Sequence, residues 1–306
     1  MELFDVAKSC FDKGDFDSAI QHFTEVIRLS PTNLLAYGYR GCAYGQKRLF
    51  DEAIADFTEV IRLDPKYAKA YFSRGCAYRD SGDRDRTLAD FDEAIRLDGN
   101  NASIYCNRGL IYQEQDRFKE AITDFTEAIR LDPENVYAYT HRGYANGKQD
   151  NFDNAITDLT EAIRLDSGNA FAYYCRGCAY YLVDNFKNAI ADFTASISLD
   201  PKHAEVYVRR GCAYGKQDDF DNAIADFTET IRLDPNDAHA YCNRGIAYKE
   251  KNDLDPALAD LNEAIRLAPT IALIYHHRGI VYAEKHELSK AEADFALAEK
   301  LRSESE

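Results

Sequence analysis

The chain has 306 residues, a formal net charge of −16, and 45% hydrophobic residues that include 21 tyrosines and 17 phenylalanines but no tryptophan. Such an acidic surface repels phosphate, which excludes broad nucleic-acid binding and docking on anionic membrane. No stretch approaches the roughly 18 uninterrupted apolar residues of a membrane span, so no membrane insertion is expected. The opening MELFDVAKSC has neither a basic nor an apolar signal region, and eight cysteines then read as reduced thiols in a cytoplasmic protein.

Taken in chain order, the sequence repeats. RGCAY stands at 40–44, 74–78, 176–180 and 210–214, at separations of 34 or three times 34. The period divides the chain into nine repeats: 1–33, 34–67, 68–101, 102–135, 136–169, 170–203, 204–237, 238–271 and 272–306. Residue positions are counted from Leu34 in the second repeat and correspondingly elsewhere. Glycine occupies position 8 from Gly41 to Gly279, with Ala7 in the first repeat. A small residue recurring there implies close approach of two helices. Tyrosine occupies position 4 from Tyr37 to Tyr275.

The second half of each repeat reads like FDEAIADFTEVIRLDP. Phe50, Ile54, Phe57 and Ile61 make the stripe of an amphipathic helix. Asp51 is placed to cap it, Glu52 favours its first turn, and Pro65 ends it. The first half, LAYGYRGCAYGQ, also keeps helical spacing. Each repeat is therefore a helix–turn–helix that cannot bury its apolar face alone, and stacking makes an all-α solenoid over 1–306.

Tyrosine at position 4, glycine at 8 and tyrosine at 11 resemble the first helix of the tetratricopeptide repeat. Ala53, Phe57 and Pro65 resemble its second helix and exit. The resemblance covers the whole chain. It implies a right-handed superhelix and a protein–protein interaction scaffold whose groove binds a peptide or protein segment. A structural protein that assembles with its own copies is the alternative. The third repeat departs most, with Arg84, Thr87 and Gly99 at positions that elsewhere hold mainly Phe, Ala and Pro, and it predicts a soft point near 80–100.

No catalytic set is present. Cys42, Cys76, Cys178 and Cys212 share a position that elsewhere takes Leu110, Tyr144, Ile246 and Ile280, so they read as core residues. Cys175 and Cys178 lack the second pair that a closed metal site needs. The acidic runs at 83–85 and 218–221 lack the glycine and distal glutamate of a calcium loop and read as caps and turns. His276, His277 and His286 form no zinc motif. No enzyme activity, metal or cofactor is expected. Arg40 precedes Asp56 by sixteen residues, and the pairing recurs through Arg278 and Asp294. The first repeat has Val6 and His22 instead, which predicts an Arg–carboxylate fork tying the two helices of a repeat.

The resemblance also implies which residues face the groove. In repeats five to seven these are Tyr137, Thr140, Tyr144 and Lys148, then Phe171, Tyr174, Tyr181 and Leu182, then Val208 and Lys216. They form an aromatic stretch with flanking lysines, suited to a partner with a bulky apolar anchor and nearby acidic residues. The family's carboxylate clamp for chaperone C-terminal tails is absent. Around Asn107 its positions hold Phe72, Cys76, Tyr137 and His141, and around Asn243 they hold Val208, Cys212, Leu273 and His277.

Overall fold

The computed structural model describes residues 2–304. They form helices α1 (Leu3–Asp12), α2 (Phe16–Leu29), α3 (Leu34–Gln46), α4 (Phe50–Leu63), α5 (Ala68–Ser81), α6 (Arg84–Leu97), α7 (Ala102–Glu114), α8 (Phe118–Leu131) and α9 (Val136–Lys148). These are followed by α10 (Phe152–Leu165), α11 (Ala170–Leu182), α12 (Phe186–Leu199), α13 (Ala204–Gly215), α14 (Phe220–Leu233), α15 (Ala238–Glu250), α16 (Leu254–Leu267), α17 (Ala272–Glu284) and α18 (Leu288–Ser303). No strand occurs among the described residues. The helices group into two compact units that divide within α9, between Ala145 and Asn146. In each unit the odd helix packs on the even helix that follows it, and the hairpins stack in chain order as an α-solenoid.

Position 8 is where the two helices of a hairpin meet. A Cβ built on Gly75 would stand 2.7 Å from the Phe91 ring, and one on Gly177 would stand 2.7 Å from Phe193. Both rings are fully buried, so glycine is what lets the odd helix lie against them.

Helix starts differ from the sequence expectation. Asp51 lies inside the first turn of α4, and the capping position is the one just before the residue that opens the helix. Asp15, Asp83, Asn185 and Asp219 stand there and accept hydrogen bonds from the backbone N–H groups of Ser18, Arg86, Asn188 and Asn222. In α4 that position is Leu49, and no side chain caps the helix. The cap must precede helical backbone, which the apolar stripe alone does not locate. Asp83 and Asp219 thereby find the role expected of the two acidic runs.

The Arg–Asp forks form as the sequence predicts. In the first unit Arg40, Arg74 and Arg108 donate through Nε and Nη2 to both oxygens of Asp56, Asp90 and Asp124, at 2.7–2.8 Å. In the second unit Arg176, Arg210, Arg244 and Arg278 do the same to Asp192, Asp226, Asp260 and Asp294. Burial pushes the Asp56, Asp124 and Asp226 carboxyls up, and the guanidinium pulls against it.

Each fork also reaches backwards. Nη1 of Arg74 donates to Thr58 Oγ1 at 3.1 Å, and that of Arg176 to Thr160 Oγ1 at 3.0 Å. Arg108 meets Asp92 instead, at 2.6 Å, and Arg278 meets Asn262 at 2.7 Å. One guanidinium thus joins three helices. Tyrosines at positions 4 and 11 flank it, as Tyr71 and Tyr78 flank Arg74 at 5.7 and 5.8 Å. In the fifth repeat position 11 is Asn146, which is buried and donates to Asp158 at 3.1 Å.

In the third repeat Thr87 takes the place of alanine without a cavity. It is fully buried, and its hydroxyl donates to Asp83 O. Arg84 is exposed and pairs with Glu114 at 3.4 Å. The junction of α6 with α7 is the thinnest of the described junctions between successive repeats. That is where the sequence predicts a soft point.

Candidate functional site

The thiols of the odd helices are unpaired and half-buried or buried. Burial pushes Cys76, Cys106, Cys178 and Cys242 up to about 11, which keeps them protonated and unreactive at neutral pH. No group of three or more His, Cys, Asp or Glu is placed to hold a metal among the described residues. No described helix is long and apolar enough to cross a membrane.

The ten candidate residues fall in both units. In the first unit Tyr137 is 43% exposed and lies on the His141 ring, with centroids 4.2 Å apart. Burial pushes Tyr137 up to about 12 and His141 down to about 4, so His141 is a neutral ring at physiological pH. Tyr144 is half-buried and meets Phe118 edge-on at 6.5 Å. Thr140 leaves the set. It is only 3% exposed, and its hydroxyl donates to Val136 O, so it offers a partner no contact. The same position is buried at Cys106 and Cys242 and half-buried at Phe72, Tyr174 and Val208.

In the second unit the structure brings Phe171, Tyr174, Tyr181 and Leu182 onto one helix, α11. Phe171 and Leu182 are exposed, while Tyr174 and Tyr181 are half-buried. Phe171 stacks on Tyr174 at 6.4 Å, and Tyr174 also meets Phe193 and His203. The Tyr174 hydroxyl donates to Glu205 Oε1 at 2.8 Å, and Arg209 donates to the same oxygen at 3.0 Å. Burial and the adjacent carboxylate hold the Tyr174 phenol protonated. Tyr181 meets Phe186 edge-on at 5.4 Å. Val208 is half-buried and packs against the core around Phe227. Lys148 and Lys216 are exposed, and Lys216 pairs with no carboxylate among the described residues.

Sequence reasoning missed Glu205 and Arg209, which orient the Tyr174 ring. Their signal was present as a Glu and an Arg four residues apart on α13, the spacing of a helical ion pair. It also missed Val183, which is 43% exposed beside Leu182 at a position where other repeats carry Lys47, Lys251 or Lys285. Those lysines bridge to Asp17, Asp221 and Asp255 of the preceding repeat.

Comparison with known proteins agrees with this architecture. Tetratricopeptide-repeat family models match residues 4–68, 75–116, 102–135, 136–169, 170–203, 204–237 and 238–271. A search of curated proteins found no match. Among solved structures, the C-terminal part of a tetratricopeptide-repeat protein from Cytophaga hutchinsonii aligns with a TM-score of 0.64 at 20% identity, covering 78% of this chain and 97% of that one. YrrB, a tetratricopeptide-repeat protein with an unusual peptide-binding site, aligns with a TM-score of 0.55 at 23% identity, over 61% of this chain and 96% of its own. MamA aligns with a TM-score of 0.53 at 28% identity, over 57% and 95%. The 34-residue period, the helical hairpins that it builds and the run of family matches together make this chain a member of the tetratricopeptide-repeat family.

Proposed function

We propose that the chain is an interaction scaffold that binds a peptide or protein segment on the surface formed by α11 and α13. One observation carries this reading: α11 presents Phe171, Tyr174, Tyr181 and Leu182 as exposed or half-buried apolar groups on a protein of net charge −16. Rings left partly open to water and held in place by their neighbours have the character of binding hot spots. The Glu205 carboxylate fixes Tyr174 before any partner arrives, which lowers the entropy lost on binding. YrrB, which shares the fold at 23% identity, has a peptide-binding site of its own.

The test is selection of binding peptides from a random display library on the intact chain, followed by affinity measurement with variants. Tyr174→Ala and Tyr181→Ala should each weaken the selected peptide by about thirtyfold, roughly 2 kcal/mol. Leu273→Ala, at an exposed apolar position of α17, should leave it unchanged. Unchanged affinity in both tyrosine variants, with helicity intact by circular dichroism, would move the site elsewhere. Light scattering over a concentration series tests the alternative of self-assembly, which predicts a mass that rises with concentration.

A further inference from the structure

Position 12 of the odd helices holds Gly45 in α3 and Gly215 in α13, where α5, α11 and α15 carry Arg79, Tyr181 and Lys249. A Cβ built on either glycine would meet nothing within 4 Å, so bare backbone floors an open space. Over Gly45 the opening is about 210 Å³. Over Gly215 it is about 530 Å³, and its walls are Tyr181, Cys212, Phe220, Phe227 and Ile246. The larger opening is of the size of a small ligand site, and both lie within single units.

We propose that the opening over Gly215 takes one aromatic side chain of an extended segment whose adjacent residue is a carboxylate held by Lys216. This rests on the reading of the α11 surface above and names the chemistry of its partner. A planar ring suits the space because glycine lets it lie on the helix backbone, while Tyr181, Phe220 and Phe227 offer edges and faces to it. The charge on the partner follows from the rim. Glu250 is already paired with Lys249 at 2.5 Å. Lys216 is exposed and unpaired. Asp218 is the remaining rim carboxylate and lies on the exposed turn after α13, where its φ is 58°. The opening over Gly45 has no cation on its rim, which carries Gln46 and Asp80, so the two openings differ in the partner they accept.

The experiment titrates the isotope-labelled full chain with two acetylated peptide amides, Asp-Asp-Phe-Asp-Ala and Lys-Lys-Phe-Lys-Ala, and reads backbone amide shifts. The acidic peptide should shift Tyr181, Gly215 and Ile246 and bind about fivefold tighter than the basic one, the scale of one exposed ion pair. Gly215→Leu, whose Cβ meets nothing within 4 Å, places a side chain in the opening and should weaken binding at least about tenfold. Lys216→Glu should abolish the preference for the acidic peptide, and Gly45→Leu should change neither. Tighter binding of the basic peptide, binding undiminished in Gly215→Leu, or no shift at Gly215 with either peptide overturns the proposal. Shifts confined to Phe171 and Tyr174 that survive Gly215→Leu also overturn it, while leaving the α11 surface as the binding site.

Discussion

Two segments of this chain stand three repeats, or 102 residues, apart in sequence and occupy the same positions of the repeat. In the first unit, α5 and α7 present Phe72, Arg79, Asp80, Asn107 and Glu114 where α11 and α13 of the second unit present Tyr174, Tyr181, Leu182, Arg209 and Lys216. Beneath them the scaffold is the same. Arg74 grips Asp90 as Arg176 grips Asp192, with side-chain exposures of 17% and 8% against 16% and 8%. On the surface they differ. Arg79 donates to Asn107 and pairs with Asp80, and Arg84 pairs with Glu114, so the charges of the first segment are satisfied within it. The second segment leaves Tyr174 and Tyr181 half-buried, Leu182 exposed and the Lys216 ammonium without a carboxylate among the described residues. The lesson is that the repeat separates two tasks: the positions between helices are held constant, and those facing outward decide whether a repeat is closed or available.

The largest effect that tests this division is on the shared scaffold. Asp90→Ala and Asp192→Ala each remove a buried carboxylate and strand a half-buried guanidinium, and each should cost about 3 kcal/mol in urea unfolding, the low end for breaking a buried pair. The two costs should be equal, and unequal costs would break the claim that the forks are interchangeable. Next come Gly75→Ala and Gly177→Ala, whose added Cβ meets a fully buried ring at the same 2.7 Å. Each should lose about 1–3 kcal/mol through overpacking, measured by the same unfolding midpoint.

A smaller effect should distinguish the segments. The thin α6–α7 junction lowers the coupling between repeats, so amides of α6 should exchange faster than those of α12 by about tenfold. Equal protection in hydrogen exchange would remove the soft point. The smallest difference should be in thiol chemistry. Burial pushes Cys76 and Cys178 up to about 11 alike. Both should alkylate slowly at pH 7, with a rate that climbs about tenfold per pH unit and reaches no plateau below pH 10. A plateau near pH 8 for either would show a thiolate that its surroundings stabilise.

Much of this was legible in the sequence because the determinants are local or strictly periodic. Helical spacing, the glycine at position 8 and the arginine–aspartate interval of sixteen recur every 34 residues. A recurring interval across one turn can bring only the same two helices together. The forks were therefore readable, down to their loss in the first repeat. Tertiary structure alone decided what each guanidinium does with its third nitrogen. The threonine it meets sits sixteen residues earlier in the preceding repeat, and only the stacking of hairpins brings it within 3.1 Å. Stacking likewise buried Thr140 while leaving Phe171 open, although both were assigned to the same surface. The opening over Gly215 depends on walls from α11, α13, α14 and α15. The sequence by itself determined the hairpin and its period, since backbone propensity and side-chain periodicity act over a few turns of helix. Which side chains remain uncommitted was decided by packing, because exposure belongs to a residue's neighbours in space.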